Sequence, residues 1–443
     1  MQSEGGDSPV TKAEQSDDVD RFPPPRTGES SVIWTLWLTY GAFYFCRVNI
    51  SAVVPGLKAP VSEGGLGIGA DQIGWILGSL KITYALGQLI NGQLSEQLPP
   101  RKMLAIGMLG SAALCVVFGA GSAAYFLLFV WAMNGYCQSL GWTPCVRVMT
   151  NWIPVARRGK VIGIVGTGYQ VTAALSVILA GYSAEVLGWR GAMFVPAGVL
   201  AACSIVMFVF LREHPDDVAA AKTESQTKMA PNNKLSFAET VYLTLTNPAL
   251  WLLGISLGML NACRYGYSDW GLAHLSEVQK TGLTKSALKI SVLPIGAVAG
   301  VFLSGWATDR FFGNRRAPVI CVLLVLLGVM TLFYDTMART STVGTVVLLV
   351  LIGFCTFGPQ VLLVGTAPAD LAKKGTAAAA AGFVNFMGYV GAALFGDVLT
   401  GYLYKHYGWQ VAIYVWAACA FTAAIAAGLL WNRRSEAELA ASS

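Results

Sequence analysis

The sequence is poor in charge. Asp, Glu, Lys and Arg make up 12 % of its 443 residues, against about 25 % in soluble domains, so an ordinary water-facing surface is excluded. Only three histidines occur, His214, His274 and His406. All fall in loops or at the ends of apolar runs, so no buried histidine relay is expected. The nine cysteines form no CxxC pair, which argues against zinc or thiol-redox chemistry; nearly all lie in apolar runs and read as small packing residues. No glycine-rich loop ending in GK[ST] is present, so ATP is not the expected energy source. With no nucleophile–base pair and no metal-ligand cluster, neither an enzyme nor a cofactor is expected.

What abounds is apolar length. Hydrophobic residues reach 55 %, the mean hydropathy is +0.56, and runs such as Val411–Trp431 are almost unbroken. A transmembrane β-barrel would alternate with period two; these runs do not. At roughly 20 apolar residues per crossing, the chain has room for about a dozen helices. The hydropathy pattern places them near 32–55, 72–94, 103–121, 125–149, 161–187 and 191–211, then 248–272, 287–308, 317–335, 343–366, 376–403 and 410–431. The expected division is a polar tail (1–30), a six-helix half (31–211), a polar linker (212–246), a second half (247–432) and a short tail (433–443).

The formal charge is +6. Outside the spans, most Lys and Arg fall on one side, with Arg101, Lys102, Arg157, Arg158, Arg315 and Arg316 among them. By the positive-inside rule that side is cytoplasmic, with both termini and the linker on it; a bacterial inner membrane is the expected home. The basic loops therefore report topology, and no nucleic acid partner is expected.

The two halves repeat. GYSAEVLGWRGAMFVPA (Gly181–Ala197) matches GYLYKHYGWQVAIYVWA (Gly401–Ala417) at an offset of 220. Gly92 and Gly305, offset by 213, each precede an acid by four residues, Glu96 and Asp309. Twelve spans, an offset repeat and paired loops of this form resemble the major facilitator superfamily. The resemblance implies an all-α membrane protein of two pseudo-symmetric six-helix halves with a substrate site between them near the midplane.

Four cations lie inside spans: Arg47, Lys81, Arg147 and Arg264. Each costs about 2.5–3.5 kcal/mol on insertion scales. Arg47 and Arg264 are 217 residues apart, within the repeat offset, and each lies roughly 23 Å into the first span of its half. Two like charges converging on one cavity need an anion between them. Asp269 lies about 140° round the helix from Arg264, and Asp397 and Glu185 are on other spans. Paired guanidinium forks fit a tetrahedral oxyanion bidentately.

Polar stripes point to a lined cavity: Tyr40, Tyr44, Arg47 and Ser51 on the first span, Lys81, Tyr84, Gln88 and Asn91 on the second. Asn261, Arg264 and Ser268 share a face of the seventh, and Asn385 and Tyr389 one of the eleventh. Arg147 suits either a gate or a snorkelling cation. Asp309 and Arg310, with Arg315 and Arg316, read as an interhelical latch, and Pro144, Pro196, Pro294 and Pro359 as kinks.

The segments YGAFYFCRVN (Tyr40–Asn49), NGYCQSLGWTPCVRVMTNW (Asn134–Trp152), RYGYSDW (Arg264–Trp270) and GTAAAAAGFVNFMGYVGA (Gly375–Ala392) resemble the organophosphate:inorganic phosphate antiporters. The resemblance implies exchange of a sugar or glycerol phosphate for inorganic phosphate by a monomer in a lipid bilayer. Arg47 and Arg264 would then grip the phosphate, and Tyr40, Tyr44, Tyr84 and Tyr389 would line the site. Bacterial members carry a second-span lysine where this chain has Gln88, a fifth-span histidine where it has Tyr169, and a basic residue where it has Val48. Lys81, on the same face as Gln88, is expected to supply the missing charge. Two alternatives stay open: a membrane sensor of a sugar phosphate, and a proton-coupled organic-anion symporter using Asp397 or Glu185.

Overall fold

The computed structural model describes residues 27–153, 155–215, 237–312, 315–372 and 376–432. Twelve apolar segments fold as helices, since lipid offers no partner to an unpaired backbone amide. The first span, α1, is broken into Glu29–Ala42, a 3-10 turn Phe43–Cys46 and Ile50–Lys58. The rest of the first half is α2 (Ala70–Gln97), α3 (Pro100–Ala120), α4 (Ala124–Ser139 and Trp142–Trp152), α5 (Val155–Leu187) and α6 (Gly191–Phe210).

A short helix, Phe237–Leu245, precedes α7 and is bent from it by 68°. Span α7 runs as Pro248–Tyr265, a π-turn Gly266–Trp270 and Gly271–Val278. Then follow α8 (Leu283–Ile290 and Leu293–Phe311), α9 (Arg316–Thr340) and α10 (Thr342–Val361, π-turn Leu362–Thr366, Ala367–Asp370). The last two spans are α11 (Ala377–Gly391, π-turn Ala392–Val398, Leu399–Tyr407) and α12 (Trp409–Gly428).

The breaks have causes in the sequence. Pro144 and Pro294 sit within the first turn after the breaks in α4 and α8, where a missing N–H is tolerated. Pro359 lies just before the π-turn of α10, whereas Pro196 sits inside the unbroken α6. Eight of the twelve spans are long and apolar enough to cross a membrane on composition alone; the others are α1, α2, α4 and α7. Those four carry Arg47, Lys81, Arg147 and Arg264.

Two seams join the halves, and each is made by close helix approach. At the α2–α11 seam, a methyl on Gly74 would stand 2.7 Å from the Asp397 carbonyl, and one on Gly78 3.1 Å from that of Ala393. At the α5–α8 seam, a methyl on Gly181 would meet Ala287 at 2.6 Å. Near the second seam, Glu185 accepts a hydrogen bond from the Thr284 amide at 3.0 Å.

One face of the molecule carries the start of α1 and the helix Phe237–Leu245; the other, distal face carries Lys58, Asp71 and Glu277. Lys58 donates to Glu277 and to Tyr404, and Lys405 to Asp71 at 3.0 Å. On the opposite face, among the described residues, Arg157 grips Glu29 with two 2.8 Å bonds and Arg316 meets Asp370 at 3.5 Å, each within one half. Among the described residues, the ion pairs and hydrogen bonds between halves all lie distal to the level of Arg47 and Arg264. The side chains of Glu96 and Asp309, and the residues 313–314, lie outside the described set, and so does the latch expected from them.

Candidate functional site

A cavity lies between the halves. From the first half it is walled by Tyr44, Arg47 and Val48 of α1 and Tyr169 and Gln170 of α5; from the second by Arg264, Tyr265 and Ser268 of α7 and Thr356 and Phe357 of α10. The two arginines of the repeat thus face one space. Arg47 is only 6 % exposed. Among the described residues, neither arginine is paired with a carboxylate.

Local backbone chemistry places Arg47. The 3-10 turn before it leaves the Phe43 and Cys46 carbonyls free of the regular helical ladder. Gln138 of α4 donates to those carbonyls at 3.1 and 3.3 Å, and Asn134 donates to Cys46 at 2.9 Å. The carbonyl oxygen of the same Gln138 accepts from Arg47 Nε at 3.0 Å. Gln138 therefore reads the break in α1 and aims the guanidinium. Arg47 Nη1 lies 3.5 Å from the Tyr44 hydroxyl, while Nη2 is buried without a partner. On α7 the π-turn begins two residues after Arg264, whose Nε is likewise buried and unpartnered.

Aromatic rings cage both cations without neutralising them. Arg47 lies 4.9 Å over Tyr44 and 4.4 Å over Tyr84; Arg264 lies 4.8 Å from both Tyr265 and Phe357. Such contacts contribute about 0.5–2 kcal/mol each, too little to replace a full counter-charge. Tyr169 stacks on Tyr44 at 5.1 Å and meets Tyr40 edge-on at 5.9 Å. Tyr40 packs on Trp142 at 4.7 Å, behind the cavity wall. Tyr84 meets Tyr389 across the halves at 4.7 Å.

Other sequence-selected residues stand elsewhere. Gln88 donates to the Ser139 carbonyl at 3.2 Å, and Asn91 to the Ser139 hydroxyl at 2.6 Å, so they tie α2 to α4. Asn261 packs against Gly388 of α11. Asn385 is half-buried, one turn before Tyr389, and outside the cavity wall.

Two expectations need correction. Lys81 does not offer its charge to the cavity: it is 3 % exposed and bonded to Asp269 and Asp397. Helix-face arithmetic on α2 alone does not register acids brought in from α7 and α11. A histidine is also buried in a polar chain. His274 is fully buried, its Nε2 2.9 Å from Asp335 and its Nδ1 3.3 Å from the Tyr334 hydroxyl, and Arg339 donates to Asp335 at 2.9 Å. The seventh helix runs on to Val278, which carries His274 one turn inside rather than at an end. Arg147 donates to the carbonyls of Ser95 and of Leu98 (2.8 Å), and so caps the end of α2.

Sequence reasoning passed over Gln138, although it sits in the fourth-span segment singled out above. The signal was an amide one helical turn after Asn134 in an apolar run, and its backbone partners are carbonyls at the break in α1. Tyr265 and Phe357 were also missed, since aromatic residues in apolar spans carry no polar mark.

Comparison with known proteins follows the same lines. The Major Facilitator Superfamily model matches residues 36–396. The chain is 30 % identical over 421 residues to a probable hexose phosphate transport protein of Chlamydia trachomatis, covering 90 % of each chain. It is 25 % identical to the glycerol-3-phosphate transporter of Bacillus subtilis, over 97 % of this chain and 98 % of the other. Among solved structures, it shares the fold of a bacterial homologue of the human lysosomal transporter Spinster, captured inward-facing and unoccupied. The TM-score is 0.73 at 15 % identity, over 92 % of this chain and 97 % of that one.

Proposed function

The chain belongs to the major facilitator superfamily and, within it, to the organophosphate:inorganic phosphate antiporters, and on that premise we propose that it exchanges a sugar or glycerol phosphate for inorganic phosphate by alternating access. One observation carries the reading: Arg47 and Arg264, one from each half, face a common cavity, each with a buried guanidinium nitrogen that has no partner. A phosphate dianion matches that pair in charge and in fork geometry. Bridging them, it draws the halves together and lowers the barrier to inversion. An empty carrier keeps two unneutralised cations in one low-dielectric space, which holds it back from inverting and makes exchange obligatory.

The conformation fits one end of that cycle. Among the described residues, the ion pairs between the halves lie toward the distal face, and the opposite face carries the basic loops, so by the positive-inside rule the cavity serves the cytoplasmic side. Both termini then face the cytoplasm, and a monomer suffices, because both arginines come from one chain.

The test is direct. Purified protein in vesicles loaded with phosphate should take up radiolabelled phosphate. Arg47→Ala or Arg264→Ala should each lower that exchange by about a hundredfold, since each removes hydrogen bonds to a charged group worth about 1.5–3 kcal/mol. Wild-type exchange surviving in either variant would dismiss the site, and tight phosphate binding with no flux would make the protein a receptor instead. Displacement of the label by hexose phosphate or by glycerol 3-phosphate ranks the cargo.

A further inference from the structure

A second polar cluster lies between the cavity and the distal face, and phosphate binding does not use it. Lys81 of α2 is the only member from the first half; Asp269 and Asp397 come from α7 and α11. Both acids sit in π-turns, Gly266–Trp270 and Ala392–Val398, a backbone form concentrated at working sites. The Lys81 ammonium donates to Asp269 and to the Leu77 carbonyl at 3.4 Å, and it meets an Asp397 oxygen at 2.5 Å. Asp397 is 0 % exposed, and among the described residues Lys81 is the one cation paired with its carboxyl group. The seam around it is closed by close backbone approach at Gly74 and Gly78.

The charge count does not balance. One ammonium faces two carboxylates, so the ionised cluster carries a net negative charge in a buried seam, and buried uncompensated charge is expelled or neutralised. Among the described residues, the elements packed around it add one further cation, Arg264 of α7, which lies 4.8 Å from the Tyr265 ring, lines the cavity and pairs with neither acid. The distal part of α1 has Lys58, already bonded to Glu277 and Tyr404. Between Arg264 and the acids, α7 carries Tyr265, whose ring lies 4.6 Å from Lys81 Nζ, and Tyr267; Lys405 and His406 lie toward the distal end of α11, with Lys405 on Asp71.

We propose that Asp397 is a proton-binding site, which holds a proton while the distal seam is shut, with the facing Asp269 carboxylate accepting the hydrogen bond, and yields it to water when the seam opens. The two carboxyls meet the same ammonium and so stand within reach of one another. On closure an Asp397 oxygen takes a proton from distal water, forming an O–H group whose hydrogen bond the Asp269 carboxylate accepts; the cluster becomes neutral. On opening, Lys81 leaves with the first half, water enters, the O–H bond breaks and the proton returns to solvent. The site rests on the alternating-access reading above, but not on the identity of the cargo.

The sign follows from linkage. The shut form binds one proton more than the open form, so acid favours the shut form and rising pH favours opening, by about tenfold in the equilibrium per pH unit across the titrating range. Hydrogen–deuterium exchange of the full-length protein in nanodiscs, corrected for intrinsic rates, reads this at the distal ends of α2 and α11. Wild-type protection there is expected to fall as pH rises, and Asp397→Asn, a fixed neutral partner, to stay protected and flat with pH while still binding phosphate. Asp269→Asn is expected to be flat as well and stands in if the first variant does not fold. A flat wild-type profile, a full pH response in the Asn variants, or a response to sodium in place of protons would overturn the site. Loss of phosphate exchange in wild type with the pH response intact would instead overturn the cargo assignment alone.

Discussion

Arg47 is held by one hydrogen bond from its Nε, and that bond depends on Gln138 being held in turn by the carbonyls of Phe43 and Cys46 and by Ser111 at 2.7 Å. Replacing Gln138 with Leu should therefore leave the cavity present but its guanidinium unaimed. A hydrogen bond to a charged group is worth about 1.5–3 kcal/mol, so phosphate affinity in Gln138→Leu should fall about ten- to hundredfold by direct titration, with the expressed fold unchanged by circular dichroism. Arg47→Lys should fall short of wild type as well, for a lysine cannot present a fork. The arginines themselves were legible in the sequence because they recur at the repeat offset and because charge in a span is costly. Gln138 was not, since its meaning lies in a neighbour's broken backbone. Lys81 was misread for a related reason: its partners Asp269 and Asp397 are about 190 and about 320 residues away in sequence, and no single-helix periodicity reports them.

At the level of helices, the close approaches set the tolerance to substitution. A methyl on Gly353 of α10 would stand 2.1 Å from the Leu293 carbonyl, and backbone cannot step aside, whereas nothing lies within 4 Å of one on Gly163 of α5. Gly353→Val should thus lower the thermal midpoint in detergent and the yield of folded protein, by a cost of about 1–3 kcal/mol expected for overpacking. Gly163→Ala should hold or raise the midpoint, with a gain of about 0.5–1 kcal/mol from the helical preference of alanine. Hydropathy recovered the helices but not their interruptions. Pro144 and Pro294 marked two of the breaks, yet the 3-10 turn of α1 and the π-turns of α7 and α11 contain no proline; they are fixed by packing between spans, which a linear pattern does not encode.

Across the whole molecule the balance between faces is electrostatic as well as steric. The Lys405 ammonium holds the Asp71 carboxyl below the usual carboxylate range. That pair therefore supports distal closure above the ordinary carboxylate pKa and loses its contribution as pH falls through the lower value of the paired state. Both partners are largely exposed, and surface pairs are worth at most about 1 kcal/mol. Asp71→Asn should consequently alter phosphate exchange at neutral pH by no more than about fivefold and remove only the acid limb of its pH profile. Obligatory exchange makes a larger prediction: vesicles loaded with labelled phosphate should retain it until phosphate or an ester is supplied outside, and steady leakage without a counter-anion would contradict the paired-arginine mechanism. The two-half architecture was readable from the 213–220 spacing of matching segments. Which face would be locked was not, because Lys58 to Glu277 and Lys405 to Asp71 are contacts between halves that hydropathy treats as unrelated loop charges.

Since the ion pairs between the halves among the described residues sit toward the distal face, the proposed alternating access has a resting molecule present its doorway to a single compartment. A blocker shaped like phosphate and kept to the locked side would meet a wall until the protein turned over. Its onset should then lengthen as turnover is slowed and shorten as it is driven, a use-dependence that the same compound supplied from the unlocked side would not show.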